Sequence, residues 1–99
     1  MVSATILQVI ENNYSRLVVD LSIRHFLLDL PVEKVLNYED LDELENIPEK
    51  RKQIVQLIRL LIRRDDSAFY RFCNLLTRDS VMVNRELGRH LLQEIKKGS

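Results

Sequence analysis

Apolar residues recur along this chain at helical intervals, and no segment alternates polar and apolar as a half-buried strand would. The broadest apolar stripe lies in residues 50 to 64, KRKQIVQLIRLLIRR. At about 100° per residue, Ile54, Leu57, Ile58, Leu60 and Leu61 fall on one wide arc. Lys52, Gln56, Arg59 and Arg63 form a ridge beside it. One packed helix covers only a stripe, so an arc this wide needs at least two elements against it. The helix is therefore expected in the middle of an all-α bundle, with a basic edge outside.

The remaining segments follow the same period. Residues 4 to 21 predict a first amphipathic helix, with Ile6, Ile10, Leu17 and Leu21 inward and Leu7, Tyr14 and Val18 flanking them. Ser22 is suited to cap a second helix built on Ile23, Phe26, Leu27 and Leu30, which Pro31 ends or kinks. Asn37 is suited to cap a short third helix, where Glu39 and Asp40 favour the positive end of the dipole and Leu36 can staple onto Leu41. Leu41, Leu44 and Ile47 form its apolar side, and Pro48 closes it beside the start of the fourth helix. Asp65-Asp66-Ser67 predicts a loop and cap before a fifth helix that buries Phe69, Phe72, Cys73 and Leu76. Asp79-Ser80 predicts the cap of a sixth, carrying Val83, Leu87, Leu91 and Ile95, with Lys96 and Lys97 suited to its C-terminal end.

A chain of 99 residues supports one domain and one core, assigned to residues 1 to 97, with Gly98-Ser99 read as a cloning remnant. Only two glycines and two prolines, with 45% hydrophobic residues, describe a folded chain of helix formers. The single cysteine, Cys73, shares a face with Phe69, Phe72 and Leu76 and reads as a small core residue. Its lack of a partner fits a reducing compartment, with the cytoplasm as the expected location. MVSATILQVI has no basic leader, and no run reaches the ~20 apolar residues of a membrane span. Without a glycine-rich phosphate loop, a nucleophile elbow or an assembled acid pair, neither an enzyme nor a small-molecule substrate or cofactor is expected. His25 with Asp29, and Glu86 with His90 and Glu94, have the i, i+4 spacing of metal ligands. Such pairs arise by chance in charged helices, no third ligand completes either set, and no metal is expected. The sequon Asn13-Tyr14-Ser15 falls inside a predicted helix and reads as coincidence.

Charge changes this picture more than composition does. The formal net charge is zero, yet residues 29 to 49 hold eight acids (Asp29, Glu33, Glu39, Asp40, Asp42, Glu43, Glu45, Glu49) against Lys34 alone. Residues 50 to 64 hold six bases, among them Lys50, Arg51, Lys52, Arg59 and Arg63, and no acid. Selection for solubility alone would intersperse the signs. Opposite signs on separate faces allow copies to stack head to tail, a contact that extends rather than closes. Exposed pairs contribute only ~0–1 kcal/mol each, so buried apolar area is also needed. Val55 and Ile62, beside the ridge, either supply it or belong to the core.

The order of these pieces resembles the caspase recruitment domain (CARD) branch of the death-fold superfamily. The resemblance rests on Leu17-Val18-Val19-Asp20-Leu21 ending the first helix and Val35-Leu36-Asn37-Tyr38-Glu39-Asp40 opening the short acidic one. In the second half it rests on Leu57-Ile58-Arg59-Leu60-Leu61-Ile62-Arg63-Arg64-Asp65-Asp66-Ser67-Ala68-Phe69 followed by Phe72, and it covers residues 6 to about 92. It implies a six-helix antiparallel Greek-key bundle without catalytic activity. It further implies an adaptor that binds another CARD or itself, by helical oligomerisation, in apoptotic or innate-immune, inflammatory signalling. In the family's commonest contact a basic face of the first and fourth helices meets an acidic face of the second and third. Here Arg51 matches a basic interface position, and Asp29, Glu33, Glu39, Asp40, Asp42 and Glu43 supply the acidic side. Tyr14 and Val55 stand where many members carry arginine, so the basic face, which also includes Lys50, is expected to shift onto Lys52, Arg59 and Arg63.

Two alternatives stay open on the residues alone. Death-effector and pyrin domains share the six-helix plan, although the absence of Trp and the short acidic third helix favour a CARD. A helical nucleic-acid binder could track phosphates with the basic ridge, but the neighbouring acids weaken that field.

Overall fold

The computed structural model describes residues 1 to 98. Among them the chain forms α1 (Ala4–Asn12), α2 (Tyr14–Asp20), a 3-10 turn (Ile23–His25), α3 (Asp29–Val32), α4 (Tyr38–Glu45), α5 (Lys50–Arg63), α6 (Asp66–Thr77) and α7 (Met82–Gly98), with no strand. These pieces fill the six expected positions, because α1 and α2 are one broken helix, and the 3-10 turn with α3 stands where the second helix was expected.

The wide arc of α5 is covered from two sides, by α2 and by α4, and Ile54, Leu57, Ile58, Leu60 and Leu61 are all buried. The most extensively packed pair is α6 with α7, and α7 also receives α1 and α2. Gly88 sets how closely that pair approaches. A Cβ there would lie 2.8 Å from Cβ of Leu76 and 2.9 Å from the carbonyl oxygen of Cys73. Phe26, Phe69 and Phe72 fill the centre, with Phe72 edge-on to Phe26 at a centroid separation of 5.9 Å. Leu87, Leu91 and Ile95 are buried as expected, and Val2 and Val9 join them.

Two predicted caps are in place. Asn37 Oδ1 accepts the Asp40 N–H at 2.8 Å, and Asp65 Oδ1 accepts the Ala68 N–H at 2.9 Å. Elsewhere the boundaries differ, for identifiable reasons. The first helix breaks at Asn13, a buried residue whose Nδ2 donates to the Val9 carbonyl at 2.8 Å and to Glu94 Oε2 on α7 at 2.6 Å. A side-chain donor at that carbonyl competes with the helical ladder, and the bond to α7 holds the break in place.

The predicted second helix is not continuous. Ser22 makes no side-chain cap bond, and the N–H groups of Phe26, Asp29 and Leu30 donate to the carbonyls of Ile23, Phe26 and Leu27, the tighter i to i+3 pattern. Pro31 explains this. Its ring would strike the carbonyl four residues back in an unbroken α-helix but is tolerated in a first turn, and α3 restarts at Asp29. Asn84 holds the Ser22 backbone instead, accepting its N–H at 2.9 Å and donating to its carbonyl at 3.0 Å. The same Asn84 donates to the Asp79 carboxylate at 2.6 Å, and α7 begins at Met82 rather than directly after Asp79-Ser80.

The end of α3 is a Schellman turn, with the Val35 N–H on the Leu30 carbonyl at 2.9 Å and the Lys34 N–H on the Pro31 carbonyl at 3.1 Å. Lys34 takes the left-handed position, φ 60°, that glycine usually occupies. At the C-terminus, Gly98 continues α7 and faces Thr5. Ser99, the other half of the presumed remnant, lies outside the described residues.

Candidate interaction surface

The outer side of α5 is positioned by two glutamines. Gln53 is buried, and its Nε2 donates to the Leu44 carbonyl at 2.8 Å, pinning α5 to the end of α4. Its Oε1 has no partner among the described residues. One turn on, Gln56 Nε2 donates to Glu43 Oε1 at 2.9 Å. These bonds bring the half-buried Ile47 beside Val55. Together with Arg51, Lys52, Gln56 and Arg59 they line a shallow groove of about 400 Å³. Ile62 turns toward the core instead, so Val55 is the apolar residue that the outer surface keeps.

Lys50, Arg51, Arg59 and Arg63 are exposed and make no ion pair among the described residues. Lys52 reaches Glu49 at 3.6 Å, both side chains largely exposed, an arrangement that solvent screening makes weak. The start of α5 is electrostatically unusual. Glu49 makes no side-chain cap bond and the first turn holds no acid, so Lys50, Arg51 and Lys52 sit at the positive end of the dipole, where bases oppose helix formation.

The acids occupy α3 and α4, which pack on each other. Asp29, Glu39, Asp40 and Asp42 make no ion pair among the described residues. Glu33 reaches Arg78 on the α6–α7 connection at 3.4 Å. Glu43 is different, because its bond to Gln56 places it on the border of the basic ridge. There α4 lies against α5, and the acidic and basic surfaces are neighbours rather than opposite sides of the molecule.

The cysteine and the histidine–carboxylate pair stand apart from this surface. Cys73 is buried, and desolvation pushes its thiol up from 9.0 to about 12, so it is protonated at neutral pH and unsuited to nucleophilic attack. His90 Nε2 lies 3.1 Å from Glu94 Oε1, and among the described residues no group of three or more His, Cys, Asp or Glu is placed to hold a metal. No described helix is long and apolar enough to cross a membrane.

Sequence reasoning missed the groove. By spacing Ile47 falls on the apolar side of the third helix, yet α4 ends at Glu45, ahead of Pro48, and Ile47 is left half-buried beyond it. The spacing of Arg51, Val55 and Arg59 at i, i+4 and i+8 was the available signal for a shared line on α5.

A family model described as caspase recruitment domain matches residues 7–90. No curated protein matches the chain. No solved structure matches it either.

Proposed function

The chain belongs to the caspase recruitment domain family, death-fold modules for protein–protein interaction, and from that premise we propose that it is a homotypic adaptor whose α5 groove receives the acidic face of another CARD. The observation that carries this reading is the groove itself. An apolar floor of Ile47 and Val55 is rimmed by Arg51 and Arg59, neither in an ion pair among the described residues. Lys50, Lys52 and Arg63 extend the basic surface. Asp29, Glu39, Asp40 and Asp42, with Glu33 and Glu43 at its margins, form the complementary acidic side. Three bases at the start of α5 work against the helix dipole, which is understandable where a surface serves a partner rather than the fold. Such contacts steer encounter and fix register, while apolar burial supplies most of the affinity. The setting we propose is a cytoplasmic apoptotic or innate-immune signalling complex, assembled by helical oligomerisation.

The test is charge reversal. Arg59→Glu with Arg63→Glu is expected to abolish self-association and pull-down of a partner CARD, while helical circular dichroism and melting temperature stay near wild type. Unchanged assembly would count against the basic surface. Glu39→Lys with Asp40→Lys probes the opposite face. Retention on random duplex DNA at low salt would instead favour phosphate recognition by the ridge.

A further inference from the structure

A stripe of α6 gathers two arginines around a hollow separate from the α5 groove. Arg71, Asn74 and Arg78 follow at i, i+3 and i+7 along α6 and its C-cap, so they share a face. With Thr77, and with Glu33 from the end of α3, they line a polar hollow of about 400 Å³. It has no residue in common with the α5 groove. Both guanidinium groups are held by backbone carbonyls. Arg71 Nε donates to the Lys34 carbonyl at 3.1 Å, and its Nη1 donates to Ser67 Oγ. Arg78 Nε donates to the Asn74 carbonyl at 3.3 Å. Each guanidinium has more N–H groups than these contacts use.

Charge around the hollow is unbalanced, because the two arginines meet a single acid, Glu33. Glu33 lies 3.4 Å from Arg78, with both side chains open to solvent, longer than the roughly 2.7–2.9 Å of a close charge-assisted bond and weakened by screening. Arg71 makes no ion pair among the described residues. One carboxylate therefore answers one guanidinium and leaves the other. The α-carbons of Arg71 and Arg78 stand about 10 Å apart along the axis, yet both side chains border the same hollow. An anion that satisfies both must carry oxygens on two linked centres, as a diphosphate does, and arginine forks match phosphate oxygens bidentately.

We infer that this hollow binds a diphosphate group, with Arg71 and Arg78 each engaging one phosphate and Glu33 yielding Arg78 to it. The site is independent of the adaptor surface on α5.

Isothermal titration calorimetry of the whole chain at low salt tests this, with pyrophosphate and inorganic phosphate as probes and no divalent metal. Pyrophosphate is expected to fill a single saturable site at least about tenfold more tightly than phosphate. Arg78→Gln should weaken it by at least about tenfold. Arg71→Lys, which keeps the charge and loses the fork, should weaken it about fivefold. Glu33→Gln removes the competing carboxylate and should tighten it about threefold. Arg59→Gln on α5 should change nothing, and melting temperature serves as the folding control for every variant. ADP separates the sources of the group: binding as tight as pyrophosphate or tighter assigns it to a nucleotide, and weaker binding assigns it to the free anion. No binding of pyrophosphate, equal affinity for phosphate, or an affinity unmoved by Arg78→Gln in a folded variant would overturn the site. So would an equal loss with Arg59→Gln, which would mark general attraction of anions to basic surface.

Discussion

The α6–α7 pair and the stretch from residue 22 to residue 36 are built on opposite principles. The pair consists of two long helices with Phe69, Phe72, Cys73, Leu76, Leu87 and Leu91 fully buried between them and their neighbours. The stretch contains a 3-10 turn, a four-residue helix and a left-handed lysine, and it leaves Leu28 and Val32 in solvent. It nonetheless buries Ile23, Phe26, Leu30, Val35 and Leu36. The difference teaches that irregular backbone here is not loose chain. It is anchored by buried residues spaced along its length, and the backbone between anchors presents side chains outward.

The strongest way to break the comparison is to separate the regular pair. Gly88→Val would push side-chain atoms against Leu76 and the backbone carbonyl of Cys73, where even a Cβ alone comes within 2.9 Å of the carbonyl oxygen. The carbonyl belongs to a packed helix and cannot rotate aside. A loss of about 3 kcal/mol is expected by urea denaturation, near the upper end of overpacking costs. A loss below about 1 kcal/mol would mean that the helices slide apart freely, contrary to close packing.

Second in size is the joint between the two regions. Asn84→Ala would strip partners from the Ser22 N–H, the Ser22 carbonyl and the Asp79 carboxylate together. A cost of about 2–3 kcal/mol is expected from unsatisfied polar groups. If Asn84 is the pin of the irregular stretch, amide exchange should accelerate in residues 22 to 36 well before it does in α6. Uniform acceleration would show that the stretch has no separate stability.

These two sites mark the limit of what the sequence makes legible. Ile54, Leu57, Ile58, Phe69, Phe72 and Leu87 could be assigned to the core because helical periodicity is a local property, and so were the caps Asn37 and Asp65. The break at Asn13 depends on Glu94, 81 residues away, and the Ser22 anchor depends on Asn84, 62 residues away. Asn13, Gln53 and Asn84 are buried polar residues that fall within the apolar arcs of their helices at about 100° per residue, and periodicity does not say which distant group satisfies them. At the interaction surface, the exposed bases of α5 were legible from the ridge. The groove was not, because it exists only where Ile47 from one helix end meets Val55 from another.

A smaller effect tests how the irregular stretch is joined to α4. Asn37→Ala removes the acceptor of the Asp40 N–H, and a loss of about 1 kcal/mol is expected in thermal or urea unfolding. Asn37→Asp keeps the acceptor and should restore most of it. A full loss with Asp as well would assign the effect to local charge in this acidic segment rather than to the cap.

The smallest expected effect has the opposite sign. Lys34 holds the left-handed position of the Schellman turn at φ 60°, which costs a residue with a Cβ about 1 kcal/mol or slightly more. Its contribution to the fold is made by backbone: its N–H bonds the Pro31 carbonyl, and its own carbonyl accepts Arg71 Nε at 3.1 Å. Its side chain forms no ion pair among the described residues. Lys34→Gly therefore keeps every backbone bond and removes the strain, while adding flexibility to the unfolded chain that offsets part of the gain. A net stabilisation of about 0.5 kcal/mol, or roughly 2–4 °C in melting temperature, is expected. Lys34→Asn, which tolerates the left-handed region without glycine's unfolded-state entropy, should move stability in the same direction. If both variants are destabilised, the lysine side chain contributes a contact of its own, and the irregular stretch is held by more than its buried anchors and backbone bonds.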